Sequence, residues 1–215
     1  MLKRIILLAA ILALSIAGCG DDDNPVNSGK DTEARYYFRA PGYGTVSIEI
    51  YTTSVDDRFY MQYLSELEKV TFGSGDTVGS SSEILPLAVG NSWIYAITAF
   101  DSLGNVLGNG IDTSIVSRDT TIDNETWYIL YNRGAPVNLG INRSDGYWSR
   151  AVTLSPNTTN IATLGDPYLS AKFPTATGQV FVNETGYSTV VLDTDTTVTV
   201  PAGTFRCYEY KKTPQ

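Results

Sequence analysis

Histidine is absent from the sequence, and this absence excludes several kinds of chemistry at once. The chain cannot build a Ser-His-Asp or Cys-His catalytic centre, because the base in each of these is a histidine. A histidine-ligated zinc site and a histidine pH switch are excluded for the same reason. The function therefore lies outside these classes.

Basic residues are also in short supply. Lys and Arg number 15 against 23 Asp and Glu, which gives a formal net charge of −8. A chain with this charge is a poor partner for nucleic acid, whose phosphates are held by basic surfaces. We therefore predict no nucleic-acid partner, and we read the acidity as a contribution to solubility.

The first nineteen residues combine a basic start, an apolar run and a cysteine. Lys3 and Arg4 precede Ile5–Ala17, which only Ser15 interrupts, and Cys19 follows after one glycine. This order resembles the lipobox signal of Gram-negative bacterial lipoproteins. One alternative is a retained transmembrane helix, but this run would span only about 20 Å of a hydrocarbon core about 30 Å thick. The other alternative is an ordinary cleaved signal peptide.

The resemblance implies that residues 1–18 are a signal peptide and that acylated Cys19 anchors the protein to a membrane. Gly20 stands where an aspartate would signal retention in the inner membrane. We therefore expect the outer membrane, on its periplasmic face or at the cell surface. Residues 19–32 contain three consecutive aspartates and one valine, so they predict a disordered acidic tether.

Residues 33–72 predict a small β-rich segment. Thr45–Tyr51 alternates polar and apolar residues as a half-buried strand does, and a turn before it predicts pairing with Arg35–Ala40. In the region 56–70, apolar residues recur at helical spacing, which favours one short helix, although the same region also alternates as a strand would. Residues 73–82 are rich in Gly and Ser and predict a linker between domains.

Residues 83–215 predict a second, β-rich domain, because short alternating stretches are separated by turn signals. The predicted strands are Ser92–Phe100, Ile111–Ser117, Thr126–Tyr131, Tyr147–Thr153, Val180–Val182, Tyr187–Leu192, Thr197–Val200 and Thr204–Lys211. The expected fold class is mainly β, an antiparallel sandwich or half-barrel, with an N-terminal signal helix.

Two motifs in this region resemble those of uncharacterised, exported β-rich bacterial lipoproteins. The first places Pro86, Gly90 and Trp93 as Pro-x-x-x-Gly-x-x-Trp, and the second is the run Val-Pro-Ala-Gly-Thr-Phe over Val200–Phe205. The resemblance implies no catalytic activity. In such proteins further strands follow the second motif, so we expect the domain to be truncated at its C-terminal end.

Few residues suggest chemistry. Cys207 has no histidine partner, so a buried small hydrophobe is the favoured interpretation. The pair Asp193 and Asp195 lacks the glycine and glutamate of an EF-hand calcium loop. We predict no cofactor, no metal site and no catalytic residue. Paired carboxylates for glycan cleavage stay an alternative, because their separation is set in three dimensions.

Aromatic residues provide the only binding signal. Adjacent aromatics in a strand point to opposite faces, so one member of each pair is a candidate for stacking on a ligand. The ligand-binding candidates are Tyr128, Tyr147 and Trp148. The competing interpretation is core packing on both faces.

The resulting functional prediction is a non-catalytic cell-envelope lipoprotein with a binding or structural role, and with a glycan or a protein as its possible ligand. The alternatives are a glycan hydrolase that uses Asp and Glu, and a carrier that holds a lipid or another apolar molecule in a half-barrel cavity.

Overall fold

The computed structural model describes residues 33–53, 59–73, 82–132, 135–154, 161–184 and 187–214. Residues 1–18 and 19–32, predicted as signal helix and tether, lie outside this set, as does most of the predicted linker 73–82. The strands are β1 (Glu33–Ala40), β2 (Gly44–Thr53), β3 (Phe59–Thr71), β4 (Ser92–Phe100), β5 (Val106–Ile122), β6 (Glu125–Asn132), β7 (Ala135–Arg143), β8 (Gly146–Leu154), β9 (Ile161–Leu164), β10 (Tyr168–Lys172), β11 (Val180–Glu184), β12 (Tyr187–Val200) and β13 (Gly203–Pro214).

The described part of the chain is all-β, as expected, and its strands form one antiparallel sheet. Twelve strands follow one another in the order β10-β8-β7-β6-β5-β4-β3-β2-β1-β13-β12-β11, and β9 pairs with β8 beside this path. The two end strands, β10 and β11, lie close to each other without ladder pairing. The architecture is therefore a nearly closed, barrel-like sheet, in place of the two separate sheets of a sandwich.

The predicted helix near 56–70 is wrong, because Phe59–Thr71 forms strand β3. Ser65 and Leu67, two positions apart, are buried, whereas Gln62 is exposed. This burial follows the period of two residues that is typical of a strand. Strand β3 pairs with β2 on one side and β4 on the other. These two ladders satisfy the backbone polar groups along both edges, which outweighs the helical spacing of the apolar residues.

The sheet continues across the segment that we read as a linker. Strand β3 lies before residues 73–82 and β4 after them, and the two strands pair over most of their length. Strand β13 lies between β1 and β12. The last predicted strand is therefore an interior strand and not an exposed edge.

Two apolar clusters form the core. The larger contains Val46, Leu67, Trp93, Val191 and Cys207, among others. The smaller contains Trp127, Ile129 and Leu139, with Trp148 packed against it. Within the described ranges we find no helix with the length and apolar character that crossing a bilayer requires.

Candidate interior binding site

Two neighbouring cavities open inside the barrel-like sheet, and both are lined by Arg39 and Ser170. The first, here called the Trp93 cavity, has a volume of about 190 Å³. The second, here called the Lys212 cavity, has a volume of about 160 Å³. The Trp93 cavity is lined by Thr45, Leu85, Trp93, Tyr95, Asn132 and Tyr147, among others, and the Lys212 cavity by Tyr37, Tyr168, Thr189, Tyr210 and Lys212.

Strand alternation brings the polar lining residues together. Tyr37 and Arg39 are two residues apart on β1, and Tyr210 and Lys212 are two apart on β13, so each pair points to one face. Tyr37 is paired with Tyr210 in the ladder, and Lys212 is paired with Thr189 of β12. Three adjacent strands therefore present a polar row to the interior.

The Arg39 guanidinium reaches across the interior to the opposite end of the sheet. Its Nη1 donates a hydrogen bond of 3.3 Å to the backbone oxygen of Ser170 on β10. Its Cζ lies 5.4 Å from the ring centroid of Tyr37 and 6.0 Å from that of Tyr210. Its Nε is buried and has no hydrogen-bond partner. A guanidinium offers five N–H donors, so this group retains capacity for a ligand.

Two further polar groups face the Lys212 cavity. Lys212 is only 7% exposed, and its Nζ lies 4.4 Å from the ring centroid of Tyr187. Thr189 is 2% exposed, and its hydroxyl has no hydrogen-bond partner. None of the described residues that line either cavity is acidic. The described lining of the two cavities therefore contains two cationic side chains and no carboxylate.

Tyr210 and Tyr147 of the interior stay protonated at neutral pH. Burial raises the pKa of Tyr210 and of Tyr147 above the ordinary value for a phenol, although the nearby Arg39 charge opposes this shift. The hydroxyl of Tyr210 donates a 2.8 Å hydrogen bond to the backbone oxygen of Lys172. These phenols can therefore act as neutral donors and as ring surfaces.

The three aromatic residues predicted as ligand contacts occupy different environments. Tyr147 is buried and lines the Trp93 cavity, whereas Tyr128 is half-buried and packs against the larger core cluster. Trp148 packs against the smaller cluster, and its Nε1 donates to Asp145 at 2.8 Å. Arg143 lies 4.9 Å from the Trp148 ring centroid. Tyr147 is thus the member of this set that lines one of the two cavities described above.

One group of carboxylates lies apart from the cavities. Burial raises the pKa of Glu209, and the charges of Asp193 and Glu49 raise it further, while a hydrogen bond from Thr196 lowers it. Among the described residues, no set of three or more Cys, Asp or Glu side chains is arranged to hold a metal ion. Glu209 is therefore the carboxyl group to test for the hydrolase alternative.

Cys207 occupies the buried position expected for a small hydrophobe. It is 0% exposed, and burial raises the pKa of its thiol to about 12. Since the thiolate is the reactive form, almost none of this cysteine is nucleophilic at pH 8.

We expect Ellman's reagent to leave Cys207 unmodified in the folded protein at pH 8. In guanidinium chloride, one thiol per chain should react within minutes when Cys19 is acylated. The measurement is the absorbance of the released thiolate with and without denaturant. Rapid modification of the folded protein would show that this cysteine is accessible and would contradict the buried assignment.

Arg39, Thr189 and Lys212 were not predicted as site residues. The available signal was the strand pattern Arg35-x-Tyr37-x-Arg39, which places two cations and an aromatic residue on one face. Thr189 and Lys212 gave no local signal, because their proximity to Arg39 depends on how β1, β12 and β13 pair.

These features define a class: an all-β protein with a nearly closed antiparallel sheet, whose interior contains cavities with aromatic and cationic walls. Comparisons of the chain with protein-family models, with curated proteins and with solved structures find no match in any of the three.

Proposed function

We propose that the protein is a non-catalytic cell-envelope lipoprotein, tethered to the outer membrane through acylated Cys19, whose barrel-like domain binds a small ligand in its interior. The observation that supports the binding role is the pair of cavities that share Arg39. The lipobox-like sequence supports the tether.

The composition of the cavity walls favours binding over catalysis. Small-molecule sites are concave, with a largely apolar and aromatic lining and a few polar groups that fix orientation. Here Trp93 and Tyr147 supply the apolar surface, and Arg39 supplies a charged group with an unused donor. A glycosidase would need two carboxyl groups beside the substrate, whereas no acidic residue is among the described lining residues.

Mass spectrometry of the protein under native conditions tests both parts of the proposal. The full chain is expressed in a Gram-negative host and purified from membranes in a non-ionic detergent, together with the Cys19→Ser variant. The expected covalent mass of the unaltered chain is that of residues 19–215 plus acyl groups. The variant should retain residues 1–18 and lack the acyl groups. Gentle ionisation should in addition show a small molecule bound without a covalent bond.

Three results would contradict the proposal. Equal, unacylated masses for the unaltered chain and the Cys19→Ser variant would contradict the lipid tether. A chain that retains no small molecule and binds none from a compound library would remove the binding role. Cleavage of a cell-wall polysaccharide by the unaltered chain, lost in Glu209→Gln, would favour the hydrolase alternative.

A further inference from the structure

The Lys212 cavity is lined by cationic donors, and none of its described lining residues is acidic. Arg39 and Lys212 both line it, and Thr189 and Ser170 add small polar groups between them. A ligand that supplies negative charge inside the cavity would accept charge-assisted hydrogen bonds from these donors.

The unpartnered atoms also match an oxyanion. The Nε of Arg39 and the hydroxyl of Thr189 are buried and have no hydrogen-bond partner. A guanidinium binds a carboxylate or phosphate through two parallel N–H···O bonds, for which Nε and an Nη nitrogen form one edge. A threonine hydroxyl can donate to a further oxygen of the same group.

We infer that the Lys212 cavity binds the oxyanion group of a small organic ligand, a carboxylate or a phosphate, through Arg39, Lys212 and Thr189. This inference rests on the proposed binding function and specifies the chemical class of its ligand. The Trp93 cavity on the other side of Arg39 then receives the less polar part of the same molecule. Tyr95, Trp93 and Tyr147 are the aromatic residues of that wall.

The alternative to anion binding is that Arg39 and Lys212 have a purely structural role. Arg39 is already in contact with two aromatic rings and one backbone oxygen, and Lys212 lies over Tyr187. If Arg39 and Lys212 served only to make these contacts, no anion would bind in the cavity. Replacing either residue would then change the stability of the protein and nothing else. Binding must therefore be measured separately from stability.

Isothermal titration calorimetry separates these possibilities. Inorganic phosphate and acetate are titrated in parallel into the acylated full chain in non-ionic detergent, in a Tris chloride buffer of low ionic strength. We expect one site per chain, and the better of the two probes distinguishes a phosphate site from a carboxylate site. Higher chloride should weaken binding, since it screens the charges and competes for the cations.

Four variants locate the site. Arg39→Gln and Lys212→Gln should each weaken binding about 10- to 100-fold, because each removes a charged hydrogen bond. Thr189→Val, which is nearly isosteric, should weaken binding about 3- to 10-fold without lowering the melting temperature of the ligand-free protein. Lys211→Gln is the matched control, because Lys211 neighbours Lys212 on β13 but does not line the cavity. It should bind as the unaltered chain does.

The outcomes for this inference and for the proposed function are distinguishable. A neutral molecule found in the purified protein, together with no binding of phosphate or acetate, would overturn the anion inference and leave the binding function in place. A loss of binding in Lys211→Gln equal to that in Lys212→Gln would also overturn it. The absence of any bound compound and of any anion binding by a cooperatively folded protein would overturn both. Retained binding in Arg39→Gln would show that the anion lies elsewhere.

Discussion

Replacing Gly146 by alanine is expected to lower the free energy of unfolding by about 3 kcal/mol, through backbone strain and lost ladder hydrogen bonds. Gly146 begins β8 with φ of +143°, a conformation that side-chain-bearing residues rarely adopt. A Cβ there would lie 2.1 Å from the backbone oxygen of Ala171 and 2.9 Å from the backbone nitrogen of Phe173. Because both neighbours are backbone atoms, the strand itself has to move.

The movement would separate β8 from β10. Gly146 is paired with Lys172 in that ladder, and Phe173 donates a 3.1 Å hydrogen bond to the backbone oxygen of Asp145 beside it. Ser170, which also lies on β10, accepts the hydrogen bond from Arg39 and lines both cavities. The substitution at Gly146 should therefore alter the cavity walls as well. The substitution should therefore weaken ligand binding together with stability.

Urea unfolding followed by tryptophan fluorescence measures the effect, with Gly110→Ala as the matched control. A Cβ at Gly110 meets no atom within 4 Å, and the residue lies on the exposed part of β5. The control should change stability by no more than about 0.5 kcal/mol. Equal unfolding midpoints for the two variants would contradict the crowding seen at Gly146.

Replacing Trp93 by alanine is expected to cost about 4 kcal/mol, the range for deleting a large buried aromatic side chain. Trp93 is 1% exposed and belongs to the larger core cluster. Its Nε1 donates a 2.6 Å hydrogen bond to the backbone oxygen of Tyr43. The substitution therefore leaves a void and a carbonyl group without its donor.

A comparison with Trp127 separates the contribution of the Trp93 hydrogen bond from that of the void. Trp127 is equally buried, but its Nε1 has no hydrogen-bond partner, and the guanidinium groups of Arg143 and Arg150 lie over its ring. Trp93→Phe should therefore destabilise the protein by about 1 kcal/mol more than Trp127→Phe, the net value of one hydrogen bond. Unfolding in urea gives both values. A larger loss in Trp127→Phe would mean that the hydrogen bond of Trp93 contributes little.

The sequence was sufficient for the local features of the fold. Alternation predicted β2 and β4, and the turn at Pro41–Gly44 predicted the β1–β2 hairpin, since side-chain direction and turn geometry depend on neighbouring residues alone. Burial of Cys207 and Trp93 followed from their residue type and strand context. Strand β7 was missed, because its residues Ala135–Arg143 contain Gly, Asn and Pro and alternate weakly.

Only the tertiary structure decided the rest. Phe59–Thr71 is a strand because β2 and β4 pair with both of its edges, a choice that its own spacing left open. The sheet nearly closes because β13 returns to pair with β1, which no local pattern specifies. The same closure brings Arg39 near Thr189 and Lys212, residues far apart in the chain. Strand pairing over long sequence separations is set by the burial and hydrogen bonding of the whole sheet, so the candidate site could not be predicted from the sequence.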